Sequence, residues 1–208
     1  MQGQRNPFVA REGIVLLLLV ALAGGITWHY LGLAYALIPA LVFAWLFLIF
    51  RDPRRSVAAV PLGIVSPVDG TVTDVELTDS SLLGGEAHRV VIRVDSLGTY
   101  TARCPVEGKI MDFRGNGNSE SVRRFSSGLW VQTDEGEDVV LQFNGHRLGL
   151  PPVAFMRYGE RVGQGQRCAY LRLTRQAEIQ FPINGRVLVE PGQRITAGAD
   201  LLGKLPPH

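Results

Sequence analysis

Pro67-Val68-Asp69-Gly70-Thr71-Val72 sets one carboxylate and one glycine between two apolar runs, and the pattern returns at Pro105-Val-Glu-Gly-Lys-Ile110 and Pro182-Ile-Asn-Gly-Arg-Val187. Asp-Gly and Asn-Gly suit a two-residue β-hairpin because both positions accept positive φ. A turn used three times between short apolar runs predicts a compact, hairpin-rich, mainly β domain. Residues 89–94, 139–143, 170–174 and 177–181 are short, alternating or rich in β-branched and aromatic side chains, and read as strands. Beyond residue 55 no segment keeps a helical period over three turns, and 119–125 is the place for a brief helix. A second pair of echoes, 158–167 and 191–200, each reads as a Gly turn, a short strand and another Gly turn. Small β units of lipoyl- and biotinyl-type domains are built this way, which raises Lys109 as a carrier lysine against its plainer reading as a solvated turn residue.

Upstream the chain changes character. Residues 13–50 contain no Asp, Glu, Lys or Arg. A bilayer core takes about 20 apolar residues per helix, so this stretch divides into two spans, about 13–30 and 33–50, joined at Leu31-Gly32. Trp28, His29, Tyr30 and Tyr35 cluster at the joint, where aromatic rings with polar tips favour the membrane interface. Pro39 is expected to kink the second span, and with Gly24-Gly25 it leaves a hairpin lying in one leaflet as the alternative. Arg5 and Arg11 precede the hairpin and Arg51, Arg54 and Arg55 follow it, so both ends are expected on the cytoplasmic side of the inner membrane. A cleaved signal peptide fits poorly, because a second span and a basic flank follow. The reading is an anchor at 1–55 and a soluble β domain at 56–208.

The anchor also explains the net charge of +2. Residues 56–208 hold 16 basic and 17 acidic side chains, which excludes the basic footprint of a nucleic-acid-binding domain. Cys104 and Cys168 lie far apart without a Cys-x-x-Cys partner, and read as buried thiols rather than a metal site or, in a reducing compartment, a disulfide.

The ordered set of a membrane hairpin, Phe50-Arg51-Asp52-Pro53-Arg54, Ser66-Pro-Val-Asp-Gly70, Arg103-Cys-Pro-Val-Glu-Gly-Lys-Ile110 and Gly159-Glu-Arg-Val-Gly-Gln-Gly-Gln-Arg167 resembles the phosphatidylserine decarboxylase family, in its short, archaetidylserine-type, membrane-anchored branch. The resemblance implies decarboxylation of a phospholipid headgroup through a pyruvoyl group made by self-cleavage at a Gly-Ser bond, with an Asp and a His assisting the serine. Asp69 matches the family's Asp. Tyr100 stands at its His, and a phenol with a reference pKa near ~10 is a poor base at neutral pH. Thr174 stands at its Gly and Arg175 at its Ser. The chain has no Gly-Ser or Gly-Cys dipeptide and no serine after Ser127.

The expectation is therefore a homologue without the pyruvoyl cofactor, no longer an enzyme. It would bind an anionic phospholipid headgroup, with Arg103 and Arg175 as ligands for phosphate or carboxylate, or serve a protein partner or its own oligomer in a regulatory role. Two alternatives stand beside it. One is an active decarboxylase with an atypical site, drawing on Ser126-Ser127-Gly128 or on His88 or His146 as base. The other is a structural β scaffold on a membrane hairpin.

Overall fold

The computed structural model describes residues 9–53, 55–58, 60–79, 82–96, 98–111, 128–146 and 152–207. The expected helix at 119–125, and Ser126 and Ser127, lie outside these residues. The chain divides into two compact units, Met1–Arg54 with Leu97–Tyr100, and Arg55–Ser96 with Thr101–His208. The first unit also takes in the segment that ends at Tyr100.

In the first unit, α1 (Arg11–Leu31) and α2 (Leu33–Phe50) fold back on each other about Gly32, whose φ of 88° turns the chain. Gly13 permits close approach, since a Cβ there would lie 2.1 Å from the Phe50 ring. At the open end the Ala10 N–H donates to the Phe50 carbonyl at 2.8 Å, and Val9 bridges Arg51. α2 continues through Pro39 as one helix. Leu18, Leu22, Ile38 and Leu41 are 62–72% exposed. Soluble proteins rarely leave so much apolar surface bare, and both helices are long and apolar enough to cross a membrane.

The second unit is mainly β. Its strands are β1 (Gly63–Val65), β2 (Gly70–Thr78), β3 (Ala87–Val94), β4 (Thr101–Arg103), β5 (Gly108–Met111), β6 (Gly128–Gln132), β7 (Asp138–His146), β8 (Val153–Ala154), β9 (Arg161–Val162), β10 (Arg167–Tyr170), β11 (Thr174–Pro182), β12 (Arg186–Val187), β13 (Arg194–Ile195) and β14 (Leu201–Lys204). They form an eight-stranded sheet, β13-β2-β3-β11-β7-β6-β5-β9, and two three-stranded sheets, β1-β14-β12 and β4-β10-β8. Period-two alternation places Ala177, Ile179 and Phe181 of β11 on one face, all fully buried against Val90 and Ile92 of β3 and Leu141 and Phe143 of β7.

None of the three Pro-x-x-Gly turns is the expected two-residue hairpin. β1 does not pair with β2, β4 does not pair with β5, and β11 does not pair with β12. Each turn is instead a corner at which the chain leaves one sheet and enters another. Glycine is needed for close approach rather than for a hairpin twist. A Cβ on Gly70 would lie 2.2 Å from the Arg93 carbonyl oxygen, and one on Gly108 would lie 2.1 Å from that of Gln132. At Gly185 the nearest atoms, on the Phe181 ring and the Pro182 and Lys204 carbonyls, are 3.0, 3.1 and 3.2 Å away, so Gly185→Ala is expected to lower the denaturant midpoint less than Gly70→Ala or Gly108→Ala.

The echoes seen in the sequence are one device built twice. The Val72 N–H donates to the Gln193 carbonyl and the Gly192 N–H returns to Val72; in the same way Ile110 donates to Glu160 and Gly159 returns to Ile110. β13 pairs with β2 as Arg194↔Thr71 and Ile195↔Gly70, and β9 pairs with β5 as Arg161↔Lys109 and Val162↔Gly108. Finally, Gly198 donates to the Ser66 carbonyl as Gly165 does to that of Cys104. Two corners each close on one Gly-strand-Gly segment through the same bonds.

Candidate functional site

Asp69 sits at the first corner, 8% exposed, and both its oxygens are engaged. Oδ1 accepts the Ala197 N–H at 2.8 Å and Oδ2 accepts Arg55 Nη2 at 2.7 Å. Its carbonyl takes the Asp95 N–H at 3.0 Å. The carboxylate thus fastens three segments distant in sequence. Asp69→Ala leaves a buried N–H and a half-buried guanidinium without their acceptor, at an expected cost of about 2–3 kcal/mol by chemical denaturation.

Residues 170–174 read as a strand, but the structure ends β10 at Tyr170 and turns at Arg172 and Leu173, with φ of 45° and 66°. The Thr174 N–H closes this turn on the Leu171 carbonyl at 3.0 Å, and the Thr174 hydroxyl donates to the same oxygen. Two non-glycine residues in the left-handed region each cost about 1–2 kcal/mol, so exposed Arg172 is a site of strain. Arg172→Asn is expected to raise stability by about 0.5–1 kcal/mol, read as a shift in thermal midpoint. Thr174 is buried, whereas Arg175 is exposed, with its Cβ beside Gly145 on β7.

Arg103 is 3% exposed. Its Nη1 donates to the Gly165 carbonyl at 3.1 Å, and its Cδ occupies the space that a Cβ on Gly198 would need. It lies where the two repeated segments meet the corners, a position that serves packing. Tyr100 is buried and belongs to the first unit. The structure brings Asp69, Arg55 and Ala197 into contact; Arg55 was read only as a basic flank, and its pairing had no signal in a single sequence.

Other sequence candidates are placed elsewhere. His88 Nε2 lies 3.2 and 3.1 Å from the Ile183 and Gly185 carbonyls. It pairs with Leu77, six residues along β3 from the Val94↔Gly70 pair, about 20 Å at strand rise. It is therefore out of reach of Asp69. His146 ends β7 opposite Thr174. Lys109 lies within β5, between Gln132 of β6 and Arg161 of β9, not at a projecting hairpin tip, so the carrier geometry is absent.

Cys104 and Cys168 are free and buried, as expected. A hydrogen bond to Cys104, and then burial, push the Cys168 thiol well above its ordinary value. Folding therefore favours the protonated thiol. The resulting stability is complete below the unfolded thiol's pKa of about 8.5 and is lost as pH rises toward the folded value. Denaturation midpoints measured from pH 7 to 10 should fall above about pH 8.5, and should fall less in Cys168→Ala.

No family model matches the chain. Two curated relatives match nearly all of it. The phosphatidylserine decarboxylase proenzyme of Burkholderia ambifaria strain MC40-6 is 27% identical over 213 residues, covering 96% of this chain and 93% of its own. That of Nitrosomonas europaea is 28% identical over 214 residues, covering 96% of each. Over nearly its whole length the chain is similar to phosphatidylserine decarboxylase proenzymes. A solved structure, glucose permease IIA from Mycoplasma capricolum, superposes with a TM-score of 0.47 at 18% identity, over 68% of this chain and 94% of that one.

Proposed function

We propose that this chain is a membrane-anchored, non-processing member of the phosphatidylserine decarboxylase family, acting at the cytoplasmic face of the bilayer as a binding or assembly subunit rather than as a pyruvoyl-dependent lyase. The observation that carries this reading is Thr174-Arg175 at the family's Gly-Ser position, with the Thr174 hydroxyl buried and donated to Leu171. The pyruvoyl group derives from a serine, and neither residue supplies one. Asp69 supports the same reading, because Arg55 and the Ala197 N–H hold it as a structural clamp. Of the two arginines expected to meet an anionic headgroup, Arg175 has the exposure for it, while Arg103 is committed inside the domain.

Intact mass spectrometry of the purified protein is expected to give one species at 22.8 kDa. Two fragments, the smaller beginning with a keto acyl group, would overturn the proposal. Protease added to sealed inverted membrane vesicles should remove the β domain. Protection in that orientation would place the domain on the other face.

A further inference from the structure

We infer that the β12 edge of the β1-β14-β12 sheet, with the neighbouring β14, docks the β domain onto an anionic lipid surface, an inference independent of whether the chain processes itself. Arg186 and Lys204 are directly opposite one another in the β12–β14 ladder, and both are exposed. Directly opposed side chains share a face of the sheet, and like charges there repel. Among the described residues no carboxylate forms an ion pair with either cation. Arg89 is matched with Glu76 and Glu178, Arg161 with Asp134 and Arg194 with Asp95, whereas Arg93, Arg157, Arg172 and Arg175 are exposed like Arg186 and have no ion pair among the described residues. What distinguishes the β12–β14 pair is that its two exposed cations are directly opposed on one sheet face, where a single anion can meet both.

The same edge carries bare aliphatic side chains. Ile183, in the turn leading to β12, and Leu188, just after it, are each 44% exposed. The turn is closed by the Gly185 N–H on the Pro182 carbonyl, and the His88 ring lies against its carbonyls. β12 is an edge strand of its sheet, open on one side. Aliphatic tips beside paired cations complement the acyl boundary and the phosphate layer of an anionic leaflet. Two cations make a weak site for a free protein. A domain tethered to the bilayer by its own hairpin needs only weak affinity, because the tether sets a high effective concentration.

The test uses the full chain, reconstituted in vesicles of phosphatidylcholine alone or with phosphatidylglycerol added. Asn184→Cys, in the exposed turn, carries an environment-sensitive fluorophore, while the two native thiols are buried and do not label. Emission should shift to the blue and be quenched by brominated lipid when phosphatidylglycerol is present, and should revert in high salt. Removing each cation should reduce the docked-to-free ratio about fivefold, so Arg186→Ala with Lys204→Ala loses docking, with the thermal midpoint as a check on folding. Equal emission with and without phosphatidylglycerol, or docking that survives the double substitution, overturns the inference. A label shielded equally in both lipids assigns the edge to a protein contact instead, and overturns it too.

Discussion

Gly108→Ala is expected to prevent the β domain from folding, or to destabilise it by on the order of 4 kcal/mol or more, the range reached when a core contact has no room to relax. The added Cβ would lie 2.1 Å from the Gln132 carbonyl oxygen and 2.8 Å from its carbon. Both atoms belong to backbone paired with β5 through Lys109↔Gln132. No side chain can swing aside, so β5 and β6 must part. The φ of 156° adds strain of its own. Gly136→Ala is the control: its φ is 89° but nothing lies within 4 Å of the added carbon, so only the conformational cost of about 1 kcal/mol remains. Soluble yield and urea midpoints of the two variants separate collision from strain. Gly70→Ala should resemble Gly108→Ala, since its clash, 2.2 Å from the Arg93 carbonyl, is also with backbone.

Glu178→Ala is expected to cost about 3 kcal/mol, the lower end for breaking a buried charged pair. Glu178 is 5% exposed and receives Arg89 in a fork, with Nε to Oε1 at 2.8 Å and Nη2 to Oε2 at 2.9 Å. Gln180 Nε2 also donates to Oε1 at 2.6 Å, while its own oxygen takes the Leu82 N–H at 2.8 Å. Glu76 binds Arg89 from the outer side, and Glu178 is the first cause of the guanidinium's pKa being raised above its ordinary value. Truncation strands the Gln180 amide N–H and both arms of the Arg89 fork, leaving only Nη1 with Glu76. Arg89 is partly exposed and keeps Glu76, which holds the loss below the figure for a fully buried arginine. Glu178→Gln should lose less than Glu178→Ala, because an acceptor for Gln180 remains. Salt should lower the wild-type midpoint through this pair less than through a fully exposed one, because Glu178 is buried while Arg89 is partly exposed.

The two apolar helices and the turn between them were legible because apolarity over a long uncharged stretch has few physical solutions. Strands at residues 89–94, 139–143 and 177–181 were legible for a similar reason, since burial on one sheet face writes alternation into the sequence. The recurring turn was found, but its cause was misread. Asp-Gly and Asn-Gly advertise positive φ, whereas here a neighbouring carbonyl excludes any Cβ at Gly70 and Gly108, and that neighbour lies in another strand. Residues 170–174 misled because Leu171-Arg172-Leu173 alternates like a strand while tertiary structure holds Arg172 and Leu173 left-handed. At the site, Asp69 was recognisable, but its partners were not. Ala197 contributes a backbone N–H, which no side-chain pattern can signal, and Arg55 looked like one more positive charge beside a membrane span.

The duplicated closure has a consequence for how the chain reaches its native state. The inner closure joins Ile110 to Glu160 and the outer joins Val72 to Gln193, so one loop is nested inside the other, at about 50 and about 120 residues. Loop entropy separates them by only about 0.8 kcal/mol, too little for thermodynamics alone to order them. Synthesis orders them instead, because the inner loop leaves the ribosome whole while the last strands are still unmade. The inner closure therefore forms first on a nascent chain, and the outer one waits for the C-terminal strands to emerge.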